Sequence, residues 1–232
     1  MKKISTLILT LILSFSLTGC SSIDKASVLD FFKSLNTTLT ADSGHFTGNI
    51  SIRTKDDSDF SFELDLNQKS DLNLACKIDL KAGNQEQEDF INFYIKDGKT
   101  YLNMLGTTSQ SLASNIGFNP GDKINVYNPF LNYTDKELIS FFKSAKKDNN
   151  TYLFNLDTKK LGIFLDSMGS ISVSEAEIRA EEKNGMITSF DLHIKMTQNI
   201  KEEFKTDFTI HIDAKDLNNS IQIPFPEDLE SY

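Results

Sequence analysis

The chain has 232 residues, with 33 acidic against 24 basic side chains and a formal net charge of −9. That length supports one domain with a real core. An acidic surface disfavours nucleic acid and anionic phospholipid headgroups as main partners, and serves to keep the protein soluble. Eighteen phenylalanines, four prolines and no tryptophan place much of the apolar mass in phenyl rings.

The first twenty residues read as a targeting segment and stand outside the fold. Lys2 and Lys3 precede an apolar run, Ile4 to Leu17, too short to span a bilayer comfortably. It ends in Leu17-Thr18-Gly19-Cys20, which resembles the lipobox of bacterial lipoproteins. The resemblance implies cleavage before Cys20, lipidation of its thiol, and a protein held on the extracytoplasmic face of the cell membrane, with the bilayer as partner. One acyl chain, at about 0.8 kcal/mol per buried methylene, binds only marginally, whereas two anchor stably. Losing residues 1–19 removes Lys2 and Lys3, which leaves 22 basic against 33 acidic residues, a net charge of −11. Residues 20–25 are then a tether and 26–232 a single domain. Cys76, the other cysteine, falls on the apolar side of a strand and reads as a small buried hydrophobe, not a nucleophile.

From Asp24 to Thr40, Val28, Phe31, Phe32, Leu35 and Leu39 fall on one helical stripe. Gly44 suits a left-handed exit. Phe46 to Leu80 then predicts three strands by period-two alternation. The apolar members are Phe46, Gly48, Ile50 and Ile52; then Phe60, Phe62, Leu64 and Leu66; then Leu72, Leu74, Cys76, Ile78 and Leu80. Residues 82–89 read as a longer connection. Asp97-Gly98 predicts a two-residue hairpin turn pairing Ile95 with Thr100, Phe93 with Leu102 and Ile91 with Met104 on the inner face. Tyr94, Tyr101, Asn92 and Asn103 are expected outside.

Residues 106–133 are the least regular part. A short helix is expected at 109–115, ended by Gly117, with a turn at Asn119-Pro120-Gly121. Phe118, Tyr127, Phe130 and Leu131 either form a flap at the sheet rim or plug the end of the core. Thr134-Asp135-Lys136-Glu137 is a capping box opening a second helix, expected to carry Leu138, Ile139, Phe141 and Phe142 and to run to Asp148. Tyr152, Phe154 and Leu156 alternate as a strand. Asp157 or Thr158 caps a third helix bearing Leu161, Phe164, Leu165 and Met168, with Gly169 as its stop. Ile171–Glu181 and Met186–Thr197 are strands, for which a three-residue loop with Gly185 as a bulge pairs Ile178 with Phe190 and Ala176 with Leu192. Met186, Phe190, Leu192, Ile194 and Met196 are expected to face in. Phe204, Phe208, Ile210 and Ile212 line the next strand, and Ile221-Gln222-Ile223 predicts a short last one.

About ten strands in a meander with three amphipathic helices give an α+β class: a curled antiparallel half-barrel with the helices on its concave face. A two-sheet sandwich ranks second, because it leaves the helices no apolar surface. The helix leading into Ser43-Gly44-His45-Phe46-Thr47-Gly48, the Lys96–Leu102 hairpin and the closing Ile221-Gln222-Ile223-Pro224 resemble the LolA/LolB and mycobacterial LppX/LprG lipid carriers. The resemblance implies a curved sheet whose helices close around a cavity for acyl chains. No single residue carries over as a contact, because that group reads its ligand by shape.

The chain carries no phosphate loop, Gly-x-Ser-x-Gly, His-Glu-x-x-His or Cys-x-x-Cys motif. His193 and His211, beside Asp191 and Asp213, read as solvated outer-face positions, not a metal site. The reading is therefore a non-enzymatic binding protein with no cofactor and no metal, holding a lipid or other hydrophobic ligand. The candidate lining is Phe46, Ile50, Ile52, Phe60, Phe62, Leu64, Leu72, Leu74, Ile91, Phe93, Leu102, Met104, Phe190, Leu192, Phe208 and Ile210. The alternative is a protein-interaction or sensor lipoprotein with a filled core and an unidentified protein partner.

Overall fold

The computed structural model describes residues 22–108, 121–124, 126, 128–166, 170–199 and 203–232. The leader, Cys20, the helix expected at 109–115, Gly117, Phe118, Asn119, Pro120, Tyr127, Met168 and Gly169 lie outside the described residues.

Helix α1 spans Lys25–Leu39, and its N-cap Asp24 accepts from the backbone N–H of Ala26 and Ser27 at 3.1 and 3.3 Å. The strands are β1 Ser43–Arg53, β2 Ser58–Asn67, β3 Asn73–Ala82, β4 Gln85–Lys96, β5 Lys99–Met104, β6 Thr107–Thr108, β7 Phe142–Asp148, β8 Thr151–Leu156, β9 Ile171–Lys183, β10 Met186–Asn199 and β11 Glu203–Lys215. Helices α2, Asp135–Ser140, and α3, Thr158–Leu165, flank β7 and β8 in sequence. All eleven strands form one antiparallel sheet in the order β6-β5-β4-β3-β2-β1-β11-β10-β9-β8-β7. The chain therefore builds outward from β1 to one edge, restarts at the opposite edge, and returns until β11 pairs with β1 in the middle. The helices lie against the β7–β10 half, α1 on β10 and β7 and α3 on β9. One sheet with its helices on one side is an α+β half-barrel, as the alternation predicts, and not a sandwich.

The inner face is a set of cross-strand rows. One runs Phe154–Ile178–Leu192–Ile210–Ile50–Phe60–Leu80, through seven strands. Another includes Phe190–Ile212–Gly48–Phe62–Ile78–Ile91–Met104. Gly48 is required there. A Cβ would run into the His211 carbonyl oxygen and come within 2.8 Å of the Phe62 ring, which occupies the space above it. The Asp97-Gly98 turn has φ of 53° and 73°, and the predicted pairs Ile95–Thr100, Phe93–Leu102 and Ile91–Met104 all form.

Several expectations are corrected. Gly44 is not a helix exit: it lies inside β1, where a Cβ would approach Leu217 to 2.9 Å and Phe46 to 3.0 Å. Residues 82–89 are not a long connection. The chain turns at Gly83-Asn84 and β4 begins at Gln85, with a register shift between Ile78 and Leu80 and a positive φ at Asp89. The second helix stops at Ser140, and residues 142–148 form β7. The segment Phe142–Asp148 suits either period, and pairing with β8 decides it. As an edge strand it carries Lys143 and Lys146, a composition that blunts edge-to-edge association. The β9–β10 loop has two residues, Asn184 and Gly185, both at positive φ. A bulge between Ile187 and Ser189 then restores the faces, so Phe190 opposes Ala180 and Leu192 opposes Ile178. The same bulge brings Ile187 into the core, while Met186 packs half-buried against Ala41, Ala214 and Leu217.

Residues 221–223 form no strand; the segment crosses the outer side of the sheet. Pro224 and Pro226 lack the donors a ladder needs. Ile223 and Leu229 are buried there with Tyr94, Tyr101 and Ala75. Asn67 Nδ2 donates to the Ile221 carbonyl at 2.9 Å and Tyr101 OH to Glu230 Oε1 at 2.8 Å. Tyr94, Tyr101 and Asn92 thus point outward as predicted but are buried, not wet. Burial pushes the Tyr94 and Tyr101 hydroxyls up to about 12.

Candidate functional site

Helix α1 supplies the first wall. Its stripe buries Val28 and Phe31 and leaves Phe32 and Leu35 half-covered. Phe31 meets Phe32, Tyr152 and Phe154 edge-on at 5.3, 5.5 and 5.3 Å. A polar clamp holds the helix to the sheet. Lys147 Nζ donates to Asp30 Oδ2 at 2.7 Å, Glu182 Oε2 at 3.2 Å and Tyr152 OH at 3.1 Å, and Tyr152 OH donates to Asp30 at 2.7 Å. The Lys147 hydrogen bond, followed by that of Tyr152, lowers the Asp30 pKa. Burial disfavours the Lys147 charge, but its three hydrogen bonds outweigh that and its pKa is raised. At the other end, the Ile187 N–H donates to Thr38 Oγ1 at 2.7 Å.

Helices α2 and α3 supply the second wall. Thr134 and Glu137 complete the predicted capping box. Asp157 caps α3 through the N–H groups of Lys159 and Lys160, and its own N–H donates to the Phe141 carbonyl at 2.7 Å. Lys160 Nζ reaches the Ser140 carbonyl at 2.7 Å, tying α3 to α2. These bonds set Phe141, Leu161 and Phe164 opposite the sheet.

Between the walls lies a cavity of about 250 Å³. Phe31, Phe32 and Leu35 line it from α1; Phe130 and Phe141 from the loops around α2; Leu161 and Phe164 from α3; Phe142, Leu156, Ile178, Phe190, Leu192 and Ile194 from β7 to β10. Among the described residues, every lining side chain is aliphatic or phenyl. Water entering would find no hydrogen-bond partner, so such a space stays dry or takes an apolar guest. The volume falls just below the roughly 300–1,000 Å³ of small-molecule sites. Rings hold one another around it edge-on or tilted: Phe32–Phe130 at 5.0 Å, Phe32–Phe142 at 6.0 Å and Phe141–Phe164 at 6.4 Å.

Of the sixteen lining residues expected from sequence, Phe190 and Leu192 are on this cavity. Phe208, Ile210, Phe46, Ile50, Ile52, Phe60, Phe62, Leu64, Ile91 and Phe93 share the same sheet face, half-buried, beyond the helices. Leu72, Leu74 and Leu102 are buried, the first two in a cluster with Leu66 and Ile95, and Met104 is exposed near one edge. The Leu192–Ile210–Ile50–Phe60 row continues the apolar face from the cavity across the sheet as one trough. The helix residues Phe31, Phe32, Leu35, Leu161 and Phe164 were legible as apolar stripes; the missing step was that a stripe facing a concave sheet lines whatever gap remains. Phe130, Phe141, Phe142, Leu156, Ile178 and Ile194 were also left out.

Other chemistry is sparse. Cys76 is a half-buried free thiol beside Leu64 and Phe93, and burial raises its pKa. The three histidines lie on the opposite face, each against a carboxylate. The distances are His45–Asp65 at 2.8 Å, His193–Asp207 at 2.8 Å and His211–Asp191 at 2.6 Å. Among the described residues, two groups, His45 with Glu63 and Asp65, and His193 with Glu175 and Glu177, have ligand atoms within 4.8 Å of one another. Lys195 already binds Glu175 at 2.8 Å, which weakens the second as a metal site.

Fold and site together define an α+β half-barrel with an apolar cavity under its helices. Among solved structures, the chain is similar to one described as the crystal structure of LprF from Mycobacterium bovis. The TM-score is 0.40 and the identity 10%, over 88% of this chain and 99% of that one. No family model matches the chain, and no curated protein matches it.

Proposed function

We propose that the protein is an extracytoplasmic lipoprotein, anchored through lipidated Cys20, that holds a lipid or other hydrophobic molecule between its helices and sheet. The observation that carries this reading is the cavity, bounded among the described residues by thirteen side chains without a polar group. Burial of a methylene is worth roughly 0.8 kcal/mol, so a chain of them binds without a polar motif. The trough beyond the helices gives a longer chain somewhere to continue. The proposed role is carriage or presentation; Cys76, half-buried among apolar neighbours with a raised pKa, is a poor nucleophile.

Native mass spectrometry of the purified protein tests the reading. The expected result is a co-purifying apolar adduct, exchangeable for an added long-chain fatty acid. Repeated preparations with neither adduct nor uptake would point to the interaction-module alternative. Mass analysis of the N-terminal peptide separately reports whether Cys20 carries diacylglycerol.

A further inference from the structure

We infer that the rim of the cavity, formed by α3 and the Phe130–Leu131 turn, docks on the bilayer surface, so that a guest passes between membrane and cavity without crossing water. The inference rests on the Cys20 anchor proposed above. Three observations carry it. First, four of the eight exposed large apolar side chains among the described residues belong to these two elements: Leu131 (64% exposed), Ile163 (68%), Phe164 (54%) and Leu165. Phe164 also lines the cavity, and ring contacts Phe164–Phe141–Tyr133–Phe130, at 6.4, 5.4 and 6.2 Å, join α3 to the turn. An apolar rim of this kind marks an interaction surface.

Second, the beginning of the described chain is fixed to edge strand β7, which contributes Phe142 to the cavity wall. Ile23 bridges Ala145 of edge strand β7, with Asp24 N–H donating to the Ala145 carbonyl at 2.9 Å and Ala145 N–H to Ser22 O at 3.4 Å. Ile23 packs on the cluster that contains Phe31 and Phe142, two of the cavity's walls. Cys20 precedes Ser22 by two residues, and two fully extended residues span at most about 7 Å. An anchor on so short a leash leaves the domain little freedom to turn this end away from the membrane.

Third, the charge is suited to it. Helix α3 of the rim carries Lys159 and Lys160 and no acidic residue, with Asp157 and Asp166 at its ends, whereas the chain after Gly19 carries −11. The acidic surplus lies elsewhere, so anionic headgroups do not repel this rim. Insertion of a few apolar side chains at the headgroup boundary then adds to the anchor.

The test exploits the absence of tryptophan. Three full-length variants, Phe164→Trp, Leu131→Trp and Leu105→Trp, are each reconstituted on phosphatidylcholine–phosphatidylglycerol vesicles containing lipids brominated high on the acyl chain. Leu105 is exposed but follows β5, near the opposite edge of the sheet. Expected is a blue shift and loss of emission for the first two and neither for the third. Vesicle flotation reports the anchor independently. Protein that floats with no quenching at either rim position, or with equal quenching at all three, overturns docking and leaves the anchor standing. Protein that does not float overturns the anchor and docking together. A blue shift that rises with protein concentration and ignores bromine would place a second copy on the rim and also overturn docking.

Discussion

Replacing Leu192 with tryptophan separates a real cavity from a filled core, because the two predict opposite signs. Leu192 lines the cavity from the sheet side and is half-buried, between Ile178 and Ile210 in its cross-strand row. In a close-packed core the larger ring would force neighbours off their rotamers and cost about 1–3 kcal/mol. Against an open cavity it has room. If the indole buries on the order of 50 Å² more apolar surface than leucine, about 25 cal/mol per Å² stabilises the fold by on the order of 1 kcal/mol. The same indole takes space from a guest. Displacing about four methylenes removes roughly 3 kcal/mol of binding, or about two orders of magnitude in Kd. Urea unfolding gives the first quantity and titration with a fluorescent fatty acid the second; the introduced tryptophan is the chain's only one. Destabilisation by more than about 1 kcal/mol with unchanged fatty-acid affinity would refute the reasoning, since packing penalties of that size mark a site already full.

Phe31→Ala should cost about 3–5 kcal/mol in urea denaturation, because a buried ring with three aromatic neighbours is removed. Phe164→Ala, at a position 54% exposed but in ring contact with Phe141, should cost less, on the order of 1 kcal/mol. Gly48→Ala should destabilise by about 1–3 kcal/mol, since the new Cβ meets the His211 carbonyl and the Phe62 ring; equal melting temperatures for variant and parent would count against that geometry. His211 should titrate above its ordinary value of 6.5 in a proton NMR experiment, because Asp191 and then Asp213 hydrogen-bond its ring. Asp191→Asn should bring it down. A raised folded pKa means that this stabilisation is complete below about 6.5 and is lost as pH rises through the folded value. With the side chain 42% exposed, solvent screening keeps the contribution small.

Alternation made most of the sheet legible. Side chains two apart share a face whatever the partner strand, so Phe46–Ile52, Phe60–Leu66 and Phe208–Ile212 could be assigned inward one strand at a time. Asp97-Gly98 fixed its register because both positive φ values are local demands. The β9–β10 hairpin was harder, since a two-residue turn with a bulge and a three-residue loop both keep apolar residues on one face, and only the paired backbone distinguishes them. Phe142–Asp148 was misread as helix for a similar reason: its spacing serves either period, and the β8 ladder settles it. The candidate lining was drawn from the sheet alone, so it found Phe190 and Leu192 but passed over the α1 and α3 residues opposite them.

By itself, the order of residues determined the inward face of most strands and the helix starts at Asp24 and Thr134, with the third narrowed to Asp157 or Thr158, because each depends on neighbours a few positions away. Tertiary structure alone decided that β1 pairs with β11 across more than 150 residues, that the C-terminal segment roofs Tyr94 and Tyr101, and that the described helices gather over β7–β10. Those outcomes are set by which apolar surfaces meet, and burial is non-directional: many partners would satisfy the same pattern, and only the packed whole selects one.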